Sequence, residues 1–382
     1  MKKILMFCLL IILVMFSACG SGNNISGNGG EEANSQAEDS QTGDIQEIEP
    51  IDISVMLVDG APLLSIVNML NSGFLEEAGF FDTLQGEARR GDIVTTVTND
   101  LDAMVAALIN QEPDFAVVPI NVAAMMHNNG SGYRLAAITT WGIMHIVSDQ
   151  EVTSLEDLIG ETVVAFGRSG TPGITLRAVL SQNNIDFVEP MDMDFTPEPN
   201  AVNIVYLTAA SDVRDAIATG MEVGGEAVSF GLLAEPVATA ITGFAGNMGR
   251  PDFTARINLQ TEWARNNDGE IYPQAALIFH ERLLTHDAGL VDAFIDMVEL
   301  SSDYANNNPV ETGDLAVSFG SIAIPNGTIV GNAHSAGRLP MDFTRATDAR
   351  SAVETFLQII MEENAGLIGG SMPEDSFYHD KE

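Results

Sequence analysis

The chain has 382 residues, 46% of them hydrophobic, which is room for a core divided between two lobes of ordinary domain size. Lys and Arg total 16 against 54 Asp and Glu, a net charge of -38. That excess repels phosphate backbones and anionic headgroups and argues against a nucleic-acid partner, although a few donors in a cleft still hold an anion locally because the diffuse field is screened by salt.

The N-terminus begins "MKK", continues with the apolar run "ILMFCLLIILVMF" and places small residues just before Cys19 in "FSACGSGN". This resembles a bacterial lipoprotein signal: residues 1–18 would be removed and Cys19 would carry the lipid. An uncleaved anchor and an ordinary signal peptide are the alternatives, and the run is short for a membrane span. Cys8 would leave with the signal, so the mature chain would hold no disulfide. Residues 19–50 are Gly, Ser, Asn, Gln and acid with almost no apolar side chain, which predicts a disordered tether. Its coil reach is about 30 Å.

From Ile51 the pattern alternates between strand and helix. "IDISVMLVDG" predicts a buried strand ending at Gly60, and "PLLSIVNMLN" a helix with Pro62 at its first position. Strand "DIVTTVT", helix "NDLDAMVAALIN" capped by Asn99 or Asp100, strand "DFAVVP", helix "INVAAMMHNN" and strand "YRLAAITT" follow. A second series opens with "SLEDLIG", a short helix with a Ser154/Asp157 capping box. It continues with strand "ETVVAFG", helix "TPGITLRAVLSQNN", strand "VNIVYL", helix "SDVRDAIATG", strand "EAVSF" and helix "LLAEPVATAIT". The last third is expected to be mostly helical. The two series share one order of strand, Thr, acid-capped helix, strand, loop and helix, which is a duplicated topology. Two α/β lobes of this kind place a cleft between them.

Four strand-end loops that open helices, at 58–64, 118–124, 167–171 and 232–237, are expected to converge on that cleft. In "GRSGTPGITLRAVL", Thr171 is a suitable N-cap and Pro172 a suitable first helical residue. Free amides of the helix start and a forked donor on Arg168 suit an anion. The spacing is neither a P-loop nor a dinucleotide fingerprint. A tight turn with a solvated Arg168 is the alternative. Trp141, beside Gly142 where the first series gives way to the second, suits either stacking on a flat ligand or packing at a hinge.

The six histidines, at 127, 145, 280, 286, 334 and 379, form no zinc-ligand spacing, and no metal or cofactor is expected. "AHSAG" at 333–337 resembles a degenerate hydrolase elbow, with Asp342, Asp348 and His379 later in the chain. Ala333 in place of the first glycine and the poor strand before it argue against that reading.

The stretches "TSLEDLIGETVVAFGRSGTP", "GLLAEPVATA" and "LIGGSMPEDSFY" resemble the solute-binding proteins of bacterial ABC importers, in the group that includes nitrate, taurine, alkanesulfonate and thiamine-pyrimidine binders. The resemblance covers nearly all of Ile51 to Tyr378. It implies an α/β, two-lobed type II periplasmic-binding-protein fold, each lobe a mixed sheet flanked by helices. Lobe one would join residues 51–140 and 247–382, and lobe two would be 141–246. The implied protein is no enzyme. It is a lipid-anchored, monomeric, extracytoplasmic binder of a small molecule, with ABC permease and ATPase subunits as partners. A surface sensor is the alternative, followed by an enzyme on the same fold. The implied contacts are Gly60, Ala61, Pro62, Asn121, Thr140 and Trp141 from lobe one and the hinge. Lobe two would add Arg168, Ser169, Gly170, Thr171 and Glu235, and the returning segment Tyr272. Arg168 favours an anion, Trp141 and Tyr272 a flat ring, and Glu235 an amine. Replacing Arg168 by Ala is expected to weaken an anionic ligand about tenfold or more. This sequence has Glu226 where many relatives have an aspartate before the strand.

Overall fold

The computed structural model describes residues 51–71 and 90–380. The expected signal peptide, the tether and the lipidation of Cys19 lie outside the described residues.

β1 (Ile51–Val58) buries Ile53, Val55 and Leu57 and pairs in parallel with β2 (Arg90–Thr98) and β3 (Phe115–Pro119). Between these strands the chain forms the short helix α1 (Ala61–Leu64) and then α2 (Leu101–Ile109). The Ala103 amide donates to Asp100 at the start of α2, so Asp100 rather than Asn99 is the cap. α3 (Ile120–Asn128) leads to β4 (Tyr133–Trp141). The chain then crosses to a second sheet through β5 (Met144–Ser148).

The expected Ser154/Asp157 capping box is present, on one turn of 3-10 helix. β6 (Thr162–Phe166) and α4 (Thr171–Gln182) follow, with Gly170 rather than Thr171 as the N-cap. Next come β7 (Phe187–Val188), β8 (Val202–Leu207) and α5 (Ala210–Thr219). A small hairpin of β9 (Glu222–Val223) and β10 (Glu226–Ala227) precedes β11 (Phe230–Ala234) and α6 (Val237–Asn247). The strand expected at 226–230 thus lies about one turn later. Leu232 and Leu233 are fully buried strand residues, and a short apolar run buried on both faces does not announce its period.

β12 (Thr254–Asn258) pairs antiparallel with β5, so the second sheet continues past the crossing expected after residue 246. α7 (Leu259–Asn266) leads back to the first sheet at β13 (Pro273–His280), which inserts between β3 and β4 antiparallel to both. All eight residues of β13 are buried, as a central strand requires. The last segment is helical as expected outside the edge strand β14 (Thr344–Arg345): α8 (Arg282–Asn307), α9 (Pro309–Ser318), α10 (Gly327–Ser335) and α11 (Ala346–Asn364). Ser335 ends α10, so "AHSAG" is a helix terminus and no nucleophile elbow. The strand orders are β14-β4-β13-β3-β1-β2 and β12-β5-β11-β6-β8-β7. The two mixed sheets flanked by helices match the expected fold class.

Two strands of chain connect the sheets and touch each other. The Gly142 amide donates to the Tyr272 carbonyl at 3.1 Å, and the Met144 amide to the Tyr272 hydroxyl at 3.3 Å. A Cβ on Gly142 would stand 1.8 Å from the Gln260 side chain and 2.6 Å from the Tyr272 ring. Gly142→Ala is therefore expected to destabilise the protein by about 1–3 kcal/mol, read from denaturant unfolding, because the fully buried Tyr272 has no room to retreat. An unchanged midpoint would mean that Gln260 and Tyr272 move aside freely.

Candidate functional site

In each sheet the parallel strands end on one edge, and the helices that follow them begin there. β1, β2 and β3 supply one set of ends, and β6, β8 and β11 the other. The two edges enclose a cavity of about 410 Å³, within the range of small-molecule sites. All four loops expected to converge do reach it, through Val58–Pro62, Val118 and Pro119, Phe166, Gly167, Gly170 and Pro172, and Ala234–Val237. Two further helix starts join them, Thr98–Leu101 and Thr208–Ser211. Most of the wall is aliphatic or proline.

Of the expected contacts, Gly60, Ala61, Pro62, Gly170 and Glu235 line the cavity. Asn121, Thr140, Trp141, Arg168, Ser169, Thr171 and Tyr272 do not. The reasons differ. Trp141 and Thr140 are buried in β4, within the sheet. Tyr272 is fully buried, stacks on Phe356 at 5.8 Å and meets Trp263 edge-on. Burial raises its hydroxyl pKa well above the usual range. The Arg168 guanidinium pairs with Glu189 at 2.5 Å and is half-exposed. Ser169 is exposed, and its carbonyl accepts from Asn121 at 3.2 Å. The Thr171 hydroxyl donates to the Gln274 carbonyl at 3.4 Å. Asn121 and Thr171 thus join the two sides of the cleft to each other rather than to a ligand.

The charged groups on the wall are already engaged by other groups of the chain. Asp59 accepts from the amides of Gly60, Ile322 and Ala323 at 2.7–3.0 Å and from the Ser321 hydroxyl. Arg214 pairs with its neighbour Asp215 at 2.9 Å and lies over the Phe244 ring. Glu235, 1% exposed, accepts from the Thr239 amide at 3.0 Å and pairs with Arg338 at 2.8 Å. Arg338 follows α10 on the side of the first sheet, so this ion pair also spans the cleft. The Glu235 carboxylate, expected to greet an amine, is occupied by a guanidinium. Burial raises its pKa, and the Thr239 hydrogen bond and the Arg338 charge oppose that rise. His145 Nε2 stands 3.7 Å from Glu235. Burial and then the Arg338 charge push the His145 pKa down to about 3, so the ring is neutral near pH 7 and forms no salt bridge there.

The residues not anticipated include Thr98, Asn99, Thr208, Ser211, Arg214 and Gln274. The echo between "TNDLDAM" and "TAASDVRDA" pointed at the two added helix starts. Gln274 had no such signal beyond being a polar residue at the head of the apolar run "QAALIF".

Comparison of the sequence with protein-family models and with curated proteins gave no match. Among solved structures the fold is similar to an ABC transporter from Parabacteroides distasonis, with TM-score 0.62, 20% identity and coverage of 86% of this chain and 99% of that one. It is similar to the periplasmic aliphatic sulphonate binding protein SsuA from Escherichia coli, with TM-score 0.61, 11% identity and coverage of 87% and 94%. The periplasmic nitrate-binding protein NrtA from Synechocystis gives TM-score 0.56, 11% identity and coverage of 83% and 82%. The chain therefore has the type II periplasmic-binding-protein fold. At these identities the likeness is one of fold.

Proposed function

We propose that this protein is the extracytoplasmic solute-binding component of an ABC importer, anchored by lipid on Cys19 and delivering a small molecule by hinged closure of its lobes. The observation that carries the reading is the cavity of about 410 Å³ lined by strand-end loops from both sheets. A ligand touching both walls stabilises the closed arrangement by its differential affinity for it. One lobe is built on the first sheet, the other on the second. The hinge is the pair of crossings at 142–143 and 259–272. The similar folds of a sulphonate binder and a nitrate binder support the class of function.

The test is a thermal-shift screen of the purified protein against nitrate, taurine, alkanesulfonates, thiamine pyrimidines, riboflavin and amino acids, with mass spectrometry of any small molecule released on denaturation. A ligand at a hundred times its dissociation constant adds roughly 2.7 kcal/mol. That is a rise of a few degrees in Tm. A folded protein that releases nothing and responds to none of the panel would overturn solute binding.

A further inference from the structure

We propose that Arg177 is a clasp across the cleft, its charge shared between Glu189 on its own lobe and Glu363 on the other, and that this sharing sets how readily the lobes part. The inference rests on the hinged-closure reading and adds a device to it. Arg177 lies on α4, beyond the cavity-lining Pro172, and α4 packs against β6 of the second sheet. Glu363 lies near the end of α11, which packs against β4 and β13 of the first sheet. Arg177 Nε and Nη2 approach Glu363 Oε1 at 2.7 and 2.5 Å. A hinge motion that separates the two sheets must stretch this pair. Asn121 marks the same seam, because its amide donates to the Ser169 carbonyl on one side and the Leu367 carbonyl on the other.

The cation is seated by its own lobe. Arg177 is 6% exposed, and its Nη1 donates to the Tyr206 hydroxyl at 2.8 Å, the Arg168 carbonyl at 3.0 Å and Glu189 Oε1 at 3.3 Å. All three acceptors belong to the lobe built on the second sheet. The planar guanidinium is therefore held in place from one edge, and its other edge is aimed at Glu363.

The two acids make the clasp reversible. A buried cation stripped of its acid is strongly destabilising. Glu189 prevents that outcome, because it stays beside Arg177 when Glu363 withdraws. Glu363 is the more exposed acid, with a third of its side-chain surface already in solvent, so it returns to water at little cost. Closure thus adds a second acid to a cation that already has one. The Glu235–Arg338 pair is of the opposite kind, since there the fully buried partner is the acid and Arg338 is the guanidinium that reaches it.

The experiment measures the distance between nitroxides carried on genetically encoded azide side chains at Ala106 and Thr219, exposed positions on α2 and α5, in the full chain in detergent. Glu363→Gln is expected to raise the ratio of open to closed molecules about three- to fivefold, in keeping with a partly exposed pair. Glu189→Gln is expected to lower that ratio, because Arg177 then depends on Glu363 alone. Opposite signs from two Glu→Gln changes on one cation are what a merely structural role would not produce. The proposal is overturned if the two variants shift the ratio the same way, or if either leaves it unchanged while Glu363→Arg opens the cleft. One unchanging distance in every variant, Glu363→Arg included, would mean that the lobes do not part, and hinged closure would fall together with the clasp.

Discussion

Arg338→Met is expected to destabilise the folded protein by about 3 kcal/mol, the low end of the cost of stranding one partner of a buried ion pair. The Glu235 side chain has no exposed surface, and Arg338 is 30% exposed and approaches within 2.8 Å. Met keeps most of the length and apolar surface of the arginine stem, so the loss reports the charge. The carboxylate would keep its hydrogen bond from Thr239 but lose the only guanidinium within reach among the described residues. Adding Glu235→Gln is expected to recover most of the loss, because the stranded charge is then gone. A cycle of the two variants, read from urea unfolding, should give a coupling above about 1 kcal/mol. Additive losses would show that the two groups do not compensate each other. The same pair explains why Glu235 is a poor partner for an amine. An incoming ammonium would compete with a guanidinium already in place.

Local features carried a large part of this fold in the sequence. The strands at 51–58, 162–166 and 202–207, the Asp100 cap and the Ser154/Asp157 capping box all rest on neighbours a few residues apart. What stayed hidden depends on partners far along the chain. Arg168 meets Glu189, Tyr272 meets Gly142, and Glu235 meets Arg338. Each was expected at the ligand because its residue type suits a ligand, and each is consumed by a contact that spacing does not reveal. Rarity was a poor guide as well. Trp141 drew attention as one of 2 tryptophans, yet it is 4% exposed and packs in the core. The strand β13 was missed because a run buried on both faces has no alternation to read. Missing β13 also hid Gln274. Four loops were nevertheless legible as convergent, because the rule that parallel strands end at a common edge acts on topology rather than on side chains.

The stability profile in mild acid is expected to reflect two opposed titrations at this same place. His145 has its folded pKa lowered from 6.5 to about 3, by burial first and the Arg338 charge second. Its contribution is fully present above the unfolded value and is lost as pH falls towards the folded one. Each unit of pH in that window costs about 1.4 kcal/mol, or about 2.5 kcal/mol between pH 6.5 and 4.5. Glu235 has its folded pKa raised above 4.5, by burial against the opposing Thr239 and Arg338 contacts. Its contribution is fully present below the unfolded value and is lost as pH rises through the folded one. The Glu235 slope begins above about pH 4.5, inside the His145 window, and opposes the His145 slope there, so the native profile should be flatter than either alone. His145→Gln should uncover the Glu235 slope, with stability rising as pH falls. Glu235→Gln should uncover the His145 slope, with stability falling as pH falls. Parallel profiles for the two variants would mean that neither group titrates in the folded state as its surroundings dictate. Divergent profiles would locate both titrations beside Arg338, where the two sides of the cleft meet.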